Sequence, residues 1–266
     1  MMRWVLFLLL ALTTTPAWAQ DRDFCADRPG RGTPACTLDP GRWQAEIGIG
    51  DWTLDRQEDS RSDNVLMGDL LMRLGLTEHV EGQLGWTAYG HLRTRDRMTG
   101  AIEKQGGIGD LSLGFRANLM NPDGSGTSIA IQPVISLPVG GEAIGAGTWG
   151  ASLLVPFSFS LSDTLQLSFT PEIAAEPDED RHGRHLAYGG VAGLGLSLLP
   201  DVDAGIELSG FRDDDPGDHS TQWFLDLSAA WRPAEADDVQ FDIGTSLGLD
   251  RDAPDVQLYA GVAKRF

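Results

Sequence analysis

Positive charge is scarce in this chain of 266 residues. Lys and Arg together number 20 against 39 Asp and Glu, leaving a net charge of −19. Recognition of nucleic acid through a basic face is therefore excluded. Tyrosine and lysine are rare, and there are only two cysteines. Long apolar runs are missing after the first twenty residues, and mean hydropathy is −0.16, which excludes a helical membrane protein. No stretch beyond the start carries a 3.6-residue apolar stripe, so helices are not expected to build the fold. Phosphate-binding and dinucleotide-binding fingerprints are also missing; the glycine-rich stretch 140–150 precedes no helical pattern. With 41% apolar residues and 33 glycines in no fixed period, the chain is neither disordered nor collagen-like.

What is present begins with an export signal. Arg3 precedes an apolar core over 4–12, and Ala17-Trp18-Ala19 fits small-x-small cleavage, so residues 1–19 read as a signal peptide cut after Ala19. The core is too short for a membrane anchor. Cys25 and Cys36 then lie in a turn-rich stretch with Pro29, Gly30, Gly32 and Pro34. In an exported chain the simplest reading is a disulfide between them. Residues 20–39 form a segment that either stays periplasmic or folds into the body of the protein as a plug.

From residue 40 to 266 the period is two. Along 80–93, Val80, Gly82, Leu84, Trp86 and Leu92 alternate with Glu81, Gln83, Thr87, His91 and Arg93. Residues 109–119 and 222–231 behave alike. Such segments fall near 42–51, 64–76, 80–93, 107–119, 127–138, 148–161, 164–174, 185–198, 202–211, 221–231, 238–249 and 255–266. Short turns, such as Thr77-Glu78-His79 and Ser162-Asp163, alternate with longer polar loops, such as 94–106, 175–184 and 212–220. An even number of strands, each long enough to cross a bilayer, with short and long connections on opposite rims, predicts an all-β fold. It is a single antiparallel transmembrane β-barrel of about twelve strands, with short periplasmic turns and longer extracellular loops. A soluble sandwich would use shorter strands. It would also not bury the ionisable groups on these polar faces. Trp223 and Trp231, eight apart on one apolar face, suit two interfacial girdles. Pro133, Pro156 and Pro171 fall inside strands, where bends or bulges are expected.

Asp27-Arg28-Pro29 followed by 40–46 (PGRWQAE), Gly107-Ile108-Gly109-Asp110-Leu111, Ser136-Leu137-Pro138-Val139-Gly140 and the final Phe266 together resemble one family. It is the transporter-like outer-membrane β-barrel family of the meta-pathway of phenol degradation. The resemblance implies a roughly twelve-stranded barrel and uptake of small aromatic or hydrophobic solutes. A terminal strand ending in Phe266 also resembles the signal read by the outer-membrane assembly machinery.

Strand parity puts Asp69, Arg73, Glu81, Arg93, Asp110, Arg116, Glu172, Asp203 and Glu207 on the polar, lumen-facing side. Arg73, Arg93 and Arg116 can pair with acids on neighbouring walls. Glu172, Asp203 and Glu207 are left to set a field that favours cations or neutral solutes. The alternative is a non-conducting structural or adhesive barrel that works through its acidic loops. A lipid-modifying enzyme would need a Ser–His pair at the lipid-facing rim, and none is placed there, so no catalytic residue is expected. A metal reading would gather His182 and His185 with Asp178, Glu179 and Asp180. Their spacing matches no recognised ligand set, so a solvated acidic loop, with no metal and no cofactor, is expected. The expected partners are outer-membrane lipid, lipopolysaccharide, the assembly machinery and a small-molecule solute.

Overall fold

The computed structural model describes residues 22–141 and 143–266. The signal peptide and its cleavage site lie outside the described residues. Among those residues there are no helices. Fourteen strand segments run β1 Trp43–Arg56, β2 Ser60–Gly75, β3 Val80–Asp96, β4 Ile102–Gly107, β5 Leu111–Met120, β6 Thr127–Leu137, β7 Gly150–Leu154, β8 Phe157–Ser162, β9 Leu165–Pro177, β10 Arg184–Leu199, β11 Val202–Asp214, β12 His219–Trp231, β13 Val239–Gly248 and β14 Val256–Arg265. They make twelve walls. β4 and β5 follow one another along β3, and β7 and β8 share the wall between β6 and β9. Every pairing is antiparallel, and β1 pairs with β14, so the sheet closes on itself and leaves no edge.

The closing seam is fixed at its foot by aromatic stacking. The Trp43 and Phe266 rings lie 3.9 Å apart at 7°, and Phe266 N–H donates to the Trp43 carbonyl at 2.8 Å. Outward positions carry an apolar belt. Trp223 and Trp231 are 45% and 48% exposed, as two interfacial girdles require. Trp231 also donates its indole N–H to Asp201 in the adjoining turn at 3.1 Å.

Two expected loops are hairpins instead. Strand β1 runs on to Arg56 and β2 starts at Ser60, so only three residues connect them. Likewise β3 continues to Asp96 and returns as β4 after residues 97–101. Trp52, Leu54 and Ile102 apart, these extensions are polar on both faces, so the backbone ladder continues where the alternating signal weakens. Connections on the opposite rim are short throughout: residues 76–79, 121–126, 163–164, 200–201 and 232–238.

The prolines interrupt one side of the barrel. Pro156 divides its wall into β7 and β8, with its carbonyl accepting from Ala130 N–H and Val155 N–H donating to Pro171 O. The β5–β6 ladder skips from Gly114–Val134 to Ala117–Ile131 around Pro133. Each proline has removed a ladder donor.

Candidate functional site

The interior of the barrel is built around residues 22–39. Cys25 and Cys36 are bonded, with Cα atoms 6.6 Å apart, and the loop between them spans the lumen. Its base rests on five charges. Arg73 makes a two-pronged contact with Glu81 (2.9 and 3.0 Å) and donates to the Cys25 carbonyl at 2.7 Å. Arg116 donates to Asp27 at 2.6 Å, to the Cys36 carbonyl at 3.0 Å and to Gln132 at 2.7 Å. Asp27 lies 3.0 Å from Arg73 as well, so it bridges the two guanidinium groups. Glu46 accepts the N–H groups of Asp27 and Arg28, and Glu81 accepts that of Leu38. Glu46, Arg73, Glu81 and Arg116 are at most 1% exposed. Each buried charge has an opposite partner, as burial demands.

The tip of the loop reaches the other walls. Arg28 contacts Asp242 on β13 at 3.0 Å and lies over Tyr259. Arg31 contacts Asp226 at 3.1 Å, Ser246 and Gln257 at 3.0 Å each, and sits 4.0 Å over the Phe224 ring. Glu207 on β11 receives the N–H groups of Arg31 and Gly32, and Thr33 pairs reciprocally with Thr170 on β9. Glycine suits the close packing here, and at Gly30 a φ of +104° favours it as well. A Cβ on Gly30 or Gly32 would fall 2.7–2.8 Å from the Glu207 carboxylate, and one on Gly261 would collide with the Arg28 guanidinium. A cavity of ≈970 Å³ remains beside the segment, with Ser158, Ser160, Ser168, Gln166 and Asp203 on its wall. A smaller one of ≈160 Å³, lined by Glu172, Tyr188, Phe211 and Gln222, lies towards the long-loop rim.

The residues singled out in the sequence divide into groups. Arg73, Glu81 and Arg116 meet in one cluster. Asp69 faces the lumen and accepts from Thr87 at 2.8 Å. Asp110 is a loop anchor: it receives Gly140 N–H at 2.8 Å and Ala146 N–H at 2.7 Å, holding both sides of this loop to the barrel. Asp203 is held by Arg232 at 2.8 Å and Ser197 at 2.7 Å. Glu207 is occupied by the N-terminal segment. Of the three field-setting acids, then, Asp203 is ion-paired and Glu207 is held by backbone N–H groups, whereas no ion pair to Glu172 is seen among the described residues.

Arg93 is not in the lumen. The β1–β14 register shifts between Gly48 and Gly50. Above that bulge Asp51 and Thr53 share the lumen face with Gln257, which receives Arg31. Trp52 and Leu54 therefore face outward. Leu54 stands opposite Asp63, and Asp63 opposite Arg93, its partner at 3.4 Å. Opposite residues share a face, so Arg93 lies outside. A bulge flips parity, and an unbroken alternation from Glu81 to Arg93 hides it.

The sequence reading missed Arg28 and Arg31. Their signal was available: the acidic excess on the lumen-facing positions has its complement in the arginines of residues 22–42.

Twelve antiparallel walls, a polar interior and an outward apolar belt define an outer-membrane β-barrel. The sequence model of the family described as "Putative MetA-pathway of phenol degradation" matches residues 26–266, and the chain belongs to that family. The COG4313 outer membrane channel from Pseudomonas putida F1 is similar in structure, with a TM-score of 0.71 at 16% identity, covering 90% of this chain and 99% of that one. The NanC porin is similar at a TM-score of 0.52 and 6% identity (84% and 98% covered). The translocator domain of the autotransporter NalP from Neisseria meningitidis also scores 0.52, at 14% identity (85% and 88% covered). No protein of curated function matches the chain by sequence.

Proposed function

We propose that the protein is a passive outer-membrane channel for a small solute, aromatic or otherwise hydrophobic, narrowed by residues 22–39 acting as a plug. The observation that carries this reading is the arrangement of the lumen. The plug is tied through Arg28, Arg31, Asp27 and Thr33 to walls all round the barrel, β5, β9, β12 and β13 among them, yet a cavity of ≈970 Å³ remains beside it. A purely structural barrel has no need of such space. The solute class rests on the family's description. Residues 1–19 are read as a signal removed after Ala19. The foot of the seam at Phe266 is read as the surface offered to the assembly machinery, and the belt as the lipid contact. The acidic long loops are placed towards lipopolysaccharide. No catalytic role is assigned.

Planar-bilayer recordings of the purified barrel test the reading. Small conductance steps are expected from the intact chain, and larger ones when residues 22–39 are deleted. Silence in both proteins would discard transport in favour of a non-conducting barrel.

A further inference from the structure

We propose that the long-loop rim carries a binding site for a divalent transition-metal ion, formed by Asp178, His185 and Asp215 and oriented by Asp213. The residues come from separate stretches that the sheet brings together. Asp178 follows β9, His185 is near the start of β10, Asp213 is near the end of β11, and Asp215 opens the connection to β12. Strand β10 pairs with both β9 and β11, so its first residues lie between the two loops. One donor atom from each of Asp178, His185 and Asp215 lies within 4.8 Å of the others.

The burial of the imidazole and its unsatisfied Nε2 add a second observation. The His185 side chain is only 5% exposed although it stands at the rim. Its Nδ1 hydrogen-bonds the Asp178 carboxylate at 3.0 Å and lies 3.4 Å from Asp215, contacts that a bound ion would replace. Its Nε2 is buried and, although 2.8 Å from Asp213 Oδ1, has no hydrogen-bond partner in line. A small ring rotation would align Nε2–H on Asp213. That would leave Nδ1 as a lone pair directed between Asp178 and Asp215, the carboxylate–histidine–metal arrangement that fixes ligand tautomer and orientation. The Asp215 carboxylate is itself held, by Gly217 N–H at 2.6 Å and Glu179 N–H at 2.7 Å.

Charge supports the same conclusion. Three carboxylates face one imidazole, and Glu176 stands opposite His185 on β9. Two of the neighbouring arginines are directed elsewhere: Arg212 to Asp214 and Thr221, and Arg184 to Thr148 and the Trp149 face. A single proton still leaves the cluster negative. The donor set selects the metal. Calcium and magnesium prefer all-oxygen sites, whereas an imidazole with carboxylates suits zinc and its first-row neighbours. Bound there, the ion would tie the loop of residues 178–183 to that of 215–218, above the cavity lined by Glu172 and Asp213.

The test is a Zn²⁺ titration of chelator-treated, folded barrel, followed by calorimetry. One ion per chain is expected. Affinity should fall at least ten-fold in Asp178→Asn and His185→Gln, and ~10–100-fold in Asp213→Asn. His182→Gln, on an exposed neighbour, should bind as the unaltered chain does. Heat-modifiability on gels checks that each variant is folded. On the unaltered protein, Zn²⁺ should slow amide exchange in residues 178–183 and 215–218 and nowhere else. Absence of saturable binding, equal loss in His182→Gln, displacement by equimolar Ca²⁺, or no local protection would each overturn the site.

Discussion

At the scale of single residues, the lumen is held by a few arginines whose partners lie on other elements. Arg73 is the clearest case. It satisfies Glu81, Glu46, Asp27 and the Cys25 carbonyl at once while fully shielded from water. Arg73→Met would leave Glu46 and Glu81 buried without that cation. Breaking a buried ion pair costs about 3–5 kcal/mol, and urea unfolding in phospholipid vesicles should show a loss of that order. Arg73→Lys keeps the charge but not the two-pronged fork, so a smaller loss is expected. If both variants unfold with the unaltered chain, the cluster contributes nothing to stability. That Arg73, Glu81 and Arg116 would pair across walls was legible, because parity puts all three on one face; Glu81 stands opposite Arg116 and one diagonal step from Arg73. Their sharing of Asp27 was not legible. A residue in a segment without periodicity carries no parity, and only the closed lumen brings it to them.

At the scale of elements, the twelve walls could be read wherever one face meets lipid and the other meets water. Reading failed where that contrast ends. Apart from Trp52, Leu54 and Ile102 the β1–β2 and β3–β4 hairpins are polar on both faces, so little in the sequence distinguishes them from loops. The glycine-linked bulge of β1 reverses parity without disturbing the apolar pattern on either side of it. The prolines, in contrast, announced their effect. Their wall has a dynamic consequence. β7 and β8 are five and six residues long and lack the donors that prolines removed, whereas β1 and β14 share a ladder from Gln44–Arg265 to Leu54–Val256. Local opening is easiest where few backbone hydrogen bonds hold a segment. Amide exchange measured by mass spectrometry should therefore be at least ten-fold faster in residues 150–162 than in β1 or β14. Equal protection would mean that the divided wall is as firmly held as the seam.

At the scale of the whole molecule, the net charge of −19 can be read too simply. Acids on the lumen-facing positions suggest a strongly cation-selective pore. The structure instead sets Arg28 against Asp242 and Arg31 against Asp226, and it caps Glu207 with backbone N–H groups. The lumen is close to compensated at the plug, so the intact channel should show only a weak preference for K⁺ over Cl⁻. Arg28→Gln combined with Arg31→Gln removes two positive charges and leaves Asp242 and Asp226 facing the lumen unopposed. Charged rings set the selectivity of a pore. The reversal potential of the double variant under a KCl gradient should therefore shift towards the K⁺ equilibrium value. The shift should shrink in molar salt, where the screening length falls to about 3 Å. Arg95→Gln, on the long β3–β4 hairpin beyond the belt, serves as the control for a general change in charge and should leave the potential where it was. A double variant that conducts with unaltered selectivity would mean that ions pass where the plug arginines do not reach, along the serine-lined cavity between residues 22–39 and β8–β9.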